Sequence, residues 1–209
     1  MTDFAQFALV TFTSILFLVD PIAVVPTFLA ITQGETVERR RATARRACIA
    51  AGILLIVFAA GGNLIFRAFG ITLPAFRIAG GAILWLVAMD MLRGERRTQE
   101  SEAEIDEGIR KDDVALTPLA MPMLAGPGAI STVMVLSGQA RTPARVAVIY
   151  ASIVVTLVIS WVMLRISDRV MSRFGQTGIR VIMRIMGLML AAVAVQFVVT
   201  GIREAFFAE

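Results

Sequence analysis

Leu18-Val19-Asp20-Pro21-Ile22-Ala23-Val24-Val25-Pro26 places one carboxylate and two prolines inside an otherwise apolar block. A second stretch, Ala125-Gly126-Pro127-Gly128-Ala129-Ile130-Ser131-Thr132, follows Pro118 and Pro122 in another such block. Proline has no N–H, and its ring clashes with the carbonyl four residues back, so each block is expected to be a helix broken at these positions. In lipid the freed backbone groups are costly unless they face protein or a water-filled cavity. Two matched breaks therefore point to a shared cavity rather than to two unrelated packing kinks.

The solvent is lipid because of composition. Of 209 residues, 57% are hydrophobic and 17% charged, and the mean hydropathy is +0.79. A soluble domain of this length could not hide so much apolar surface, which excludes disorder, a secreted disulfide scaffold and an ordinary cytosolic enzyme. There is no His and one Cys, Cys48, so CxxC redox or metal motifs are absent and no cofactor or metal site is expected.

Six apolar blocks recur, at Phe4–Ile31, Ala47–Phe66, Ile71–Leu92, Leu116–Ser137, Val146–Leu164 and Val181–Ile202. Each approaches or exceeds the roughly 20 residues that cross a hydrocarbon layer, and none alternates as a barrel strand does. An all-α polytopic membrane protein with six transmembrane helices is the expectation. Of the 20 basic residues, 15 fall in or beside the loops around 32–46, 93–115 and 165–180, and five on the opposite side. That asymmetry puts those loops in the cytoplasm and both termini outside, and it explains the net charge of +4 without nucleic acid.

The two halves echo each other. Asp20-Pro21 is matched by Gly126-Pro127, Phe69-Gly70 by Phe174-Gly175, and Arg77-Ile78-Ala79-Gly80 by Arg184-Ile185-Met186-Gly187, at offsets of 105–107 residues. Each half holds three spans, so the second must enter the membrane from the opposite side. Two inverted-topology repeats, residues 1–92 and 116–209, are expected around a charged connector, 93–115, with helices one and four broken at mid-membrane.

The breaks differ chemically. Asp20-Pro21 reads as the N-cap and first residue of a new half-helix, the carboxylate accepting free N–H groups. At Gly126-Pro127 the cap has no side chain, so the amides of Gly128, Ala129 and Ile130 are expected to be open at a positive helix end, where Ser131 and Thr132 add hydroxyls. Asp20 has three available roles: meeting a substrate ammonium, carrying a coupling proton, or capping alone. Asp90 is a second proton-relay candidate, or it pairs with Arg93 at the helix end. Arg77 and Arg184 are candidates for gate ion pairs, or else interfacial anchors. Asn63 and Gln196 read as interhelical contacts, and Gly80, Gly81 and Gly187 as sites of close packing.

With these residues in view, the chain resembles the MarC family of six-span membrane proteins, also grouped as small neutral amino acid transporters. The resemblance runs through Asp20-Pro21-Ile22 with Pro26, Pro118-Leu119-Ala120-Met121-Pro122 into Ala125–Ile130, and Arg184–Leu188 into Ala194-Val195-Gln196-Phe197. The chain departs at Ala23-Val24-Val25, where family members carry a Gly-Asn pair. The resemblance implies a multi-pass protein of the bacterial inner membrane, or of an archaeal membrane, and proton-coupled transport of glycine or alanine.

The expected function is thus alternating-access transport of a small zwitterion, with its carboxylate on Gly128–Ile130 and its ammonium near Asp20. A channel or an exporter for another small solute is the nearest alternative, though a channel wants a polar stripe that the spans do not advertise. A membrane assembly protein gives no reason for two matched breaks. An enzyme is not expected, since no His, nucleophile–base pair or metal motif is present.

Overall fold

The computed structural model describes residues 2–93 and 115–207, so the charged connector lies almost wholly outside the described residues. Every regular element among them is helical: α1 (Thr2–Val19), α2 (Pro21–Ile31), α3 (Val37–Phe69), α4 (Leu73–Arg93), α5 (Ala115–Leu124), α6 (Pro127–Gln139), α7 (Pro143–Arg165) and α8 (Ser167–Phe207). Five stretches are long and apolar enough to cross a membrane: Asp3–Ile31, Val37–Gly62, Leu73–Arg93, Pro143–Arg165 and Thr177–Phe206. The fourth apolar block is not one of them. Its break at Ala125–Gly126 leaves two helices, each too short to span alone.

Local chemistry sets the boundaries. α3 starts well before its apolar block, where Thr36 Oγ1 accepts from Arg39 N–H at 3.3 Å and the Arg-rich first turns follow. α5 is π-helical. Pro118 and Pro122 remove two donors from its ladder, and Ala125 N–H closes the segment on Ala120 O, five residues back, at 2.9 Å. Gly70 ends α3 at φ 65°, and Gly175 kinks α8 at φ 64°. Both mates of the Phe-Gly echo thus adopt the left-handed region that glycine tolerates.

Contacts between distant residues order the helices. Arg145 donates to Asp3 at 2.6 Å and lies over the Phe7 ring, which sets α1 and α7 side by side and parallel. Arg40 donates to Asp168 at 3.1 Å at the other end, and Gly52 of α3 packs against Leu157 of α7, so these two helices are antiparallel. The core is in two parts. One joins α1, α2, α3, α5, α6 and α7 through residues such as Ile15, Phe28, Leu55, Leu124 and Ile153. The other is a smaller cluster of Leu84, Ala88, Met91, Leu190, Ala191 and Ala194 between α4 and α8. Leu18, beside the first break, packs against both. Large apolar side chains such as Leu9, Leu64 and Leu188 face outward, as lipid-facing surfaces require.

Candidate functional site

Asp20 joins two helices. Its N–H donates to Leu16 O at 3.1 Å, ending α1, while its Oδ1 accepts from Ala23 N–H at 3.3 Å, starting α2. The backbone reverses between these bonds with φ 41° and ψ 70°, the one left-handed non-glycine conformation among the described residues. Asp is among the few residues that adopt it, because its short side chain can bond locally. Behind the cap, Val24 and Val25 are buried, so the first turn of α2 packs aliphatic carbon into the core.

The second break has no such cap. Gly126 is extended (φ −72°, ψ 166°) and gives no side-chain bond to α6. The expectation of three open amides needs correction. Ile130 N–H donates to Gly126 O at 3.0 Å, because the carbonyl of an N-cap residue already accepts the first intrahelical bond. Pro127 has no N–H, so Gly128 and Ala129 supply the two amides that helix geometry leaves without an intrahelical acceptor.

Leu18, two residues before Asp20, approaches Gly128, two residues after Gly126. A Cβ on Gly128 would collide with Leu84 of α4 and stand 3.5 Å from Leu18 Cδ2 of α1. α5 meanwhile touches α2, and α6 touches α1. Pro21, Ala129 and Ile130 are buried around this point, while Pro127 is half-buried. One turn further, Ser131 lies against Gly80 of α4, where a Cβ would meet its hydroxyl. Thr132 is buried and its hydroxyl has no hydrogen-bond partner.

Two more buried hydroxyls, Thr11 of α1 and Thr156 of α7, share that state. α7 carries Ser152, Thr156 and Ser160 at successive four-residue steps, all buried, with Ser160 Oγ donating to Thr156 O at 2.9 Å. This is the polar stripe that the sequence reading missed. Its signal was the Ser-x3-Thr-x3-Ser spacing, which puts three hydroxyls on one helix face. The Asp3–Arg145 and Leu18–Gly128 contacts bring Thr11, Thr132 and Thr156 to within about two turns of one another along the helix axes.

The remaining candidates stand apart. Asp90 is six residues beyond Leu84 on α4, about 9 Å further along the axis. Arg77 is buried and ion-paired with Glu204 of α8, whose side chain is 38% exposed. Arg184 is exposed on α8. Gln196 bonds Thr200 at 3.0 Å within α8, not across helices. The side chain of Asn63 lies outside what is described. Among the described residues, no group of carboxylates and thiols comes together to hold a metal ion.

Comparison with known proteins agrees with this architecture. The model of the MarC family integral membrane proteins matches residues 5–206. The chain is 38% identical over 200 residues to the UPF0056 membrane protein MJ1677 of Methanocaldococcus jannaschii, covering 96% of this chain and 98% of that one. It is 37% identical over 205 residues to a UPF0056 membrane protein of Aquifex aeolicus, covering 98% and 96%. Against the UPF0056 membrane protein YhcE of Escherichia coli the identity is 33% over 196 residues, covering 93% and 91%. No solved structure matches the chain. A match of this extent, over a helical bundle of this hydropathy, makes the chain an integral membrane protein belonging to the MarC family.

Proposed function

We propose that this protein is a secondary transporter of small neutral amino acids of the glycine and alanine class, coupled to protons and working by alternating access. The observation that carries the reading is that two proline-initiated helix starts, at Pro21 and Pro127, flank one buried region, in which Leu18, just before the first, packs against Gly128, just after the second. A small zwitterion presents one anionic and one cationic end. The amides of Gly128 and Ala129 suit its carboxylate, and Asp20 suits its ammonium or a proton. Gly126, Pro127 and Ile130 shape the approach to those amides, and the hydroxyls of Ser131 and Thr132 border it. Arg77 with Glu204 is the gate candidate that has an ion partner.

The proposal includes six spans arranged as two inverted three-helix repeats, with α5 and α6 together as the fourth. Three features support it. Both halves break before a proline, both Phe-Gly mates carry a positive φ, and the Asp3–Arg145, Arg40–Asp168 and Arg77–Glu204 pairs each join residues that a six-span count puts on one side. The protein would then lie in the bacterial inner membrane with both termini outside.

Uptake of labelled glycine and alanine into proteoliposomes, with and without an imposed pH gradient, tests the function. Accumulation that collapses with an uncoupler is the expected result. Absence of uptake for both solutes would remove the substrate assignment, and flux that neither saturates nor accumulates would make the protein a channel.

A further inference from the structure

Away from the helix breaks, α3 and α7 enclose a recess of about 210 Å3 lined by Glu38, Arg41, Ala42, Arg45, Trp161 and Arg165. Its depth in the membrane follows from its residues: Arg165 ends one apolar span, and Arg41 and Arg45 stand in the first turns of another. The Arg165 guanidinium lies 5.5 Å from the Trp161 ring centroid, so indole and cation form one wall. Neighbouring Arg40 is otherwise engaged, bonded to Asp168 and stacked on Phe28. Among the described residues Arg41, Arg45 and Arg165 are in no ion pair. Three guanidiniums against the single carboxylate of Glu38 leave a net positive recess at the rim of the hydrocarbon layer.

The surface beneath it is apolar and continuous with it. On α7, Arg165, Trp161, Val158 and Val154 follow at helical spacing on one face, and both valines are exposed. On α3, Arg45 is followed by exposed Ile49 and Ile53. The close approach of Gly52 to Leu157, where a Cβ would stand 2.9 Å from Leu157 Cδ1, draws the two helices together and makes the seam between them shallow. Cation, indole and aliphatic groove succeed one another in the order phosphate, glycerol and acyl chain take in a phospholipid.

We propose that this recess binds an anionic phospholipid. Its phosphodiester sits on Arg41, Arg45 and Arg165, whose forked donors suit phosphate oxygens. Trp161 sits at the headgroup boundary, where indoles concentrate, and the acyl chains run along the α3–α7 seam. Basic recesses between transmembrane helices recognise lipid headgroups in this way. The inference is independent of the proposed transport activity.

The two tryptophans, Trp85 and Trp161, make the test direct. In a Trp85→Phe background Trp161 is the only indole, and lipid brominated on its acyl chains quenches its fluorescence by contact. The full-length protein would be reconstituted in zwitterionic vesicles holding a small fraction of brominated lipid, either phosphatidylglycerol or phosphatidylcholine. The expected result is a several-fold excess of quenching by the anionic lipid. Each Arg→Gln change at 41, 45 or 165 should lower that preference and the triple variant should abolish it, while quenching by the zwitterionic lipid persists as the measure of correct insertion. Equal quenching by both lipids, or a preference that survives the triple variant, would overturn the proposal. Displacement of the brominated lipid by equimolar free glycerol phosphate would also overturn it, assigning the recess to a soluble phosphate ester.

Discussion

Gly81 of α4 rests on the backbone of α8 at Ala194: a Cβ on Gly81 would stand 2.8 Å from the Ala194 carbonyl oxygen. The contact is one of a set. Gly201 meets Pro74 O at 2.8 Å in the same sense, and Gly187 meets Ala88 O at 3.1 Å. Positions fall by seven on α8 as they rise by seven on α4, the register of an antiparallel pair joined by small residues. Because the obstacle is backbone, a side chain there cannot be accommodated by a rotamer change. Gly81→Val and Gly187→Val should each lower stability by about 1–3 kcal/mol or more. Gly61, which has nothing within 4 Å of its virtual Cβ, is the control, and Gly61→Ala should gain about 0.5–1 kcal/mol. Thermal unfolding in detergent reads both. A Gly81→Val protein as stable as wild type would refute the close packing.

The Arg77–Glu204 pair predicts an asymmetry. Arg77 is buried, whereas the Glu204 side chain is 38% exposed. Glu204→Gln strands a buried guanidinium and should cost about 3–5 kcal/mol. Arg77→Met leaves a carboxylate that water can reach, so the loss should be smaller. The double variant should recover most of the Glu204→Gln loss. Equal single-variant losses in the same unfolding assay would contradict this.

At Asp20, capping and transport can be separated. Asn adopts the left-handed conformation and caps as well as Asp, so Asp20→Asn should keep stability within about 0.5 kcal/mol. Asp20→Ala should lose about 1–2 kcal/mol through the missing cap and the strained backbone. On the proposed mechanism Asp20→Asn also abolishes accumulation driven by a pH gradient while leaving solute counterflow. Undiminished gradient-driven accumulation would confine Asp20 to its structural role.

The buried hydroxyls make a prediction of opposite sign for stability and function. Valine has the shape of threonine, and a buried donor without a partner costs about 1–3 kcal/mol. Thr132→Val and Thr156→Val should therefore raise the melting temperature. If these hydroxyls serve the solute or the proton, uptake falls in the same proteins. A melting temperature lowered by several degrees would mean that the hydroxyls are structurally required.

Legibility in the sequence followed the range of the forces involved. The breaks at Asp20 and Gly126 could be read because proline acts on its own helix, and the Asp20 cap because it reaches only three residues ahead. The bonding of Ile130 to Gly126 is equally local, and the capping rule would have given it. The partner of Arg77 is 127 residues away and that of Arg145 is 142 away. No pattern in the chain says which helices become neighbours. The Ser152, Thr156 and Ser160 stripe was visible as spacing. The rest of α7 is apolar on every side, however, so nothing marked that face as the buried one. The fourth apolar block was legible as a helix broken at Gly126, but not the π-helical winding of α5 before it, since a proline marks where a ladder fails and not how it closes.

The division of the core into two parts has a consequence for biogenesis. α4 buries its glycine face against α8, which leaves the ribosome only after α5, α6 and α7. At about 5–20 residues per second, α4 waits several seconds in the bilayer, its closest partner not yet made. During that interval lipid, or an insertion factor, must occupy the face that α8 will take. Chains interrupted before α8 would expose a ready-made small-residue surface to other nascent helices. The order of synthesis thus makes the arrival of α8 the step that closes the face of α4.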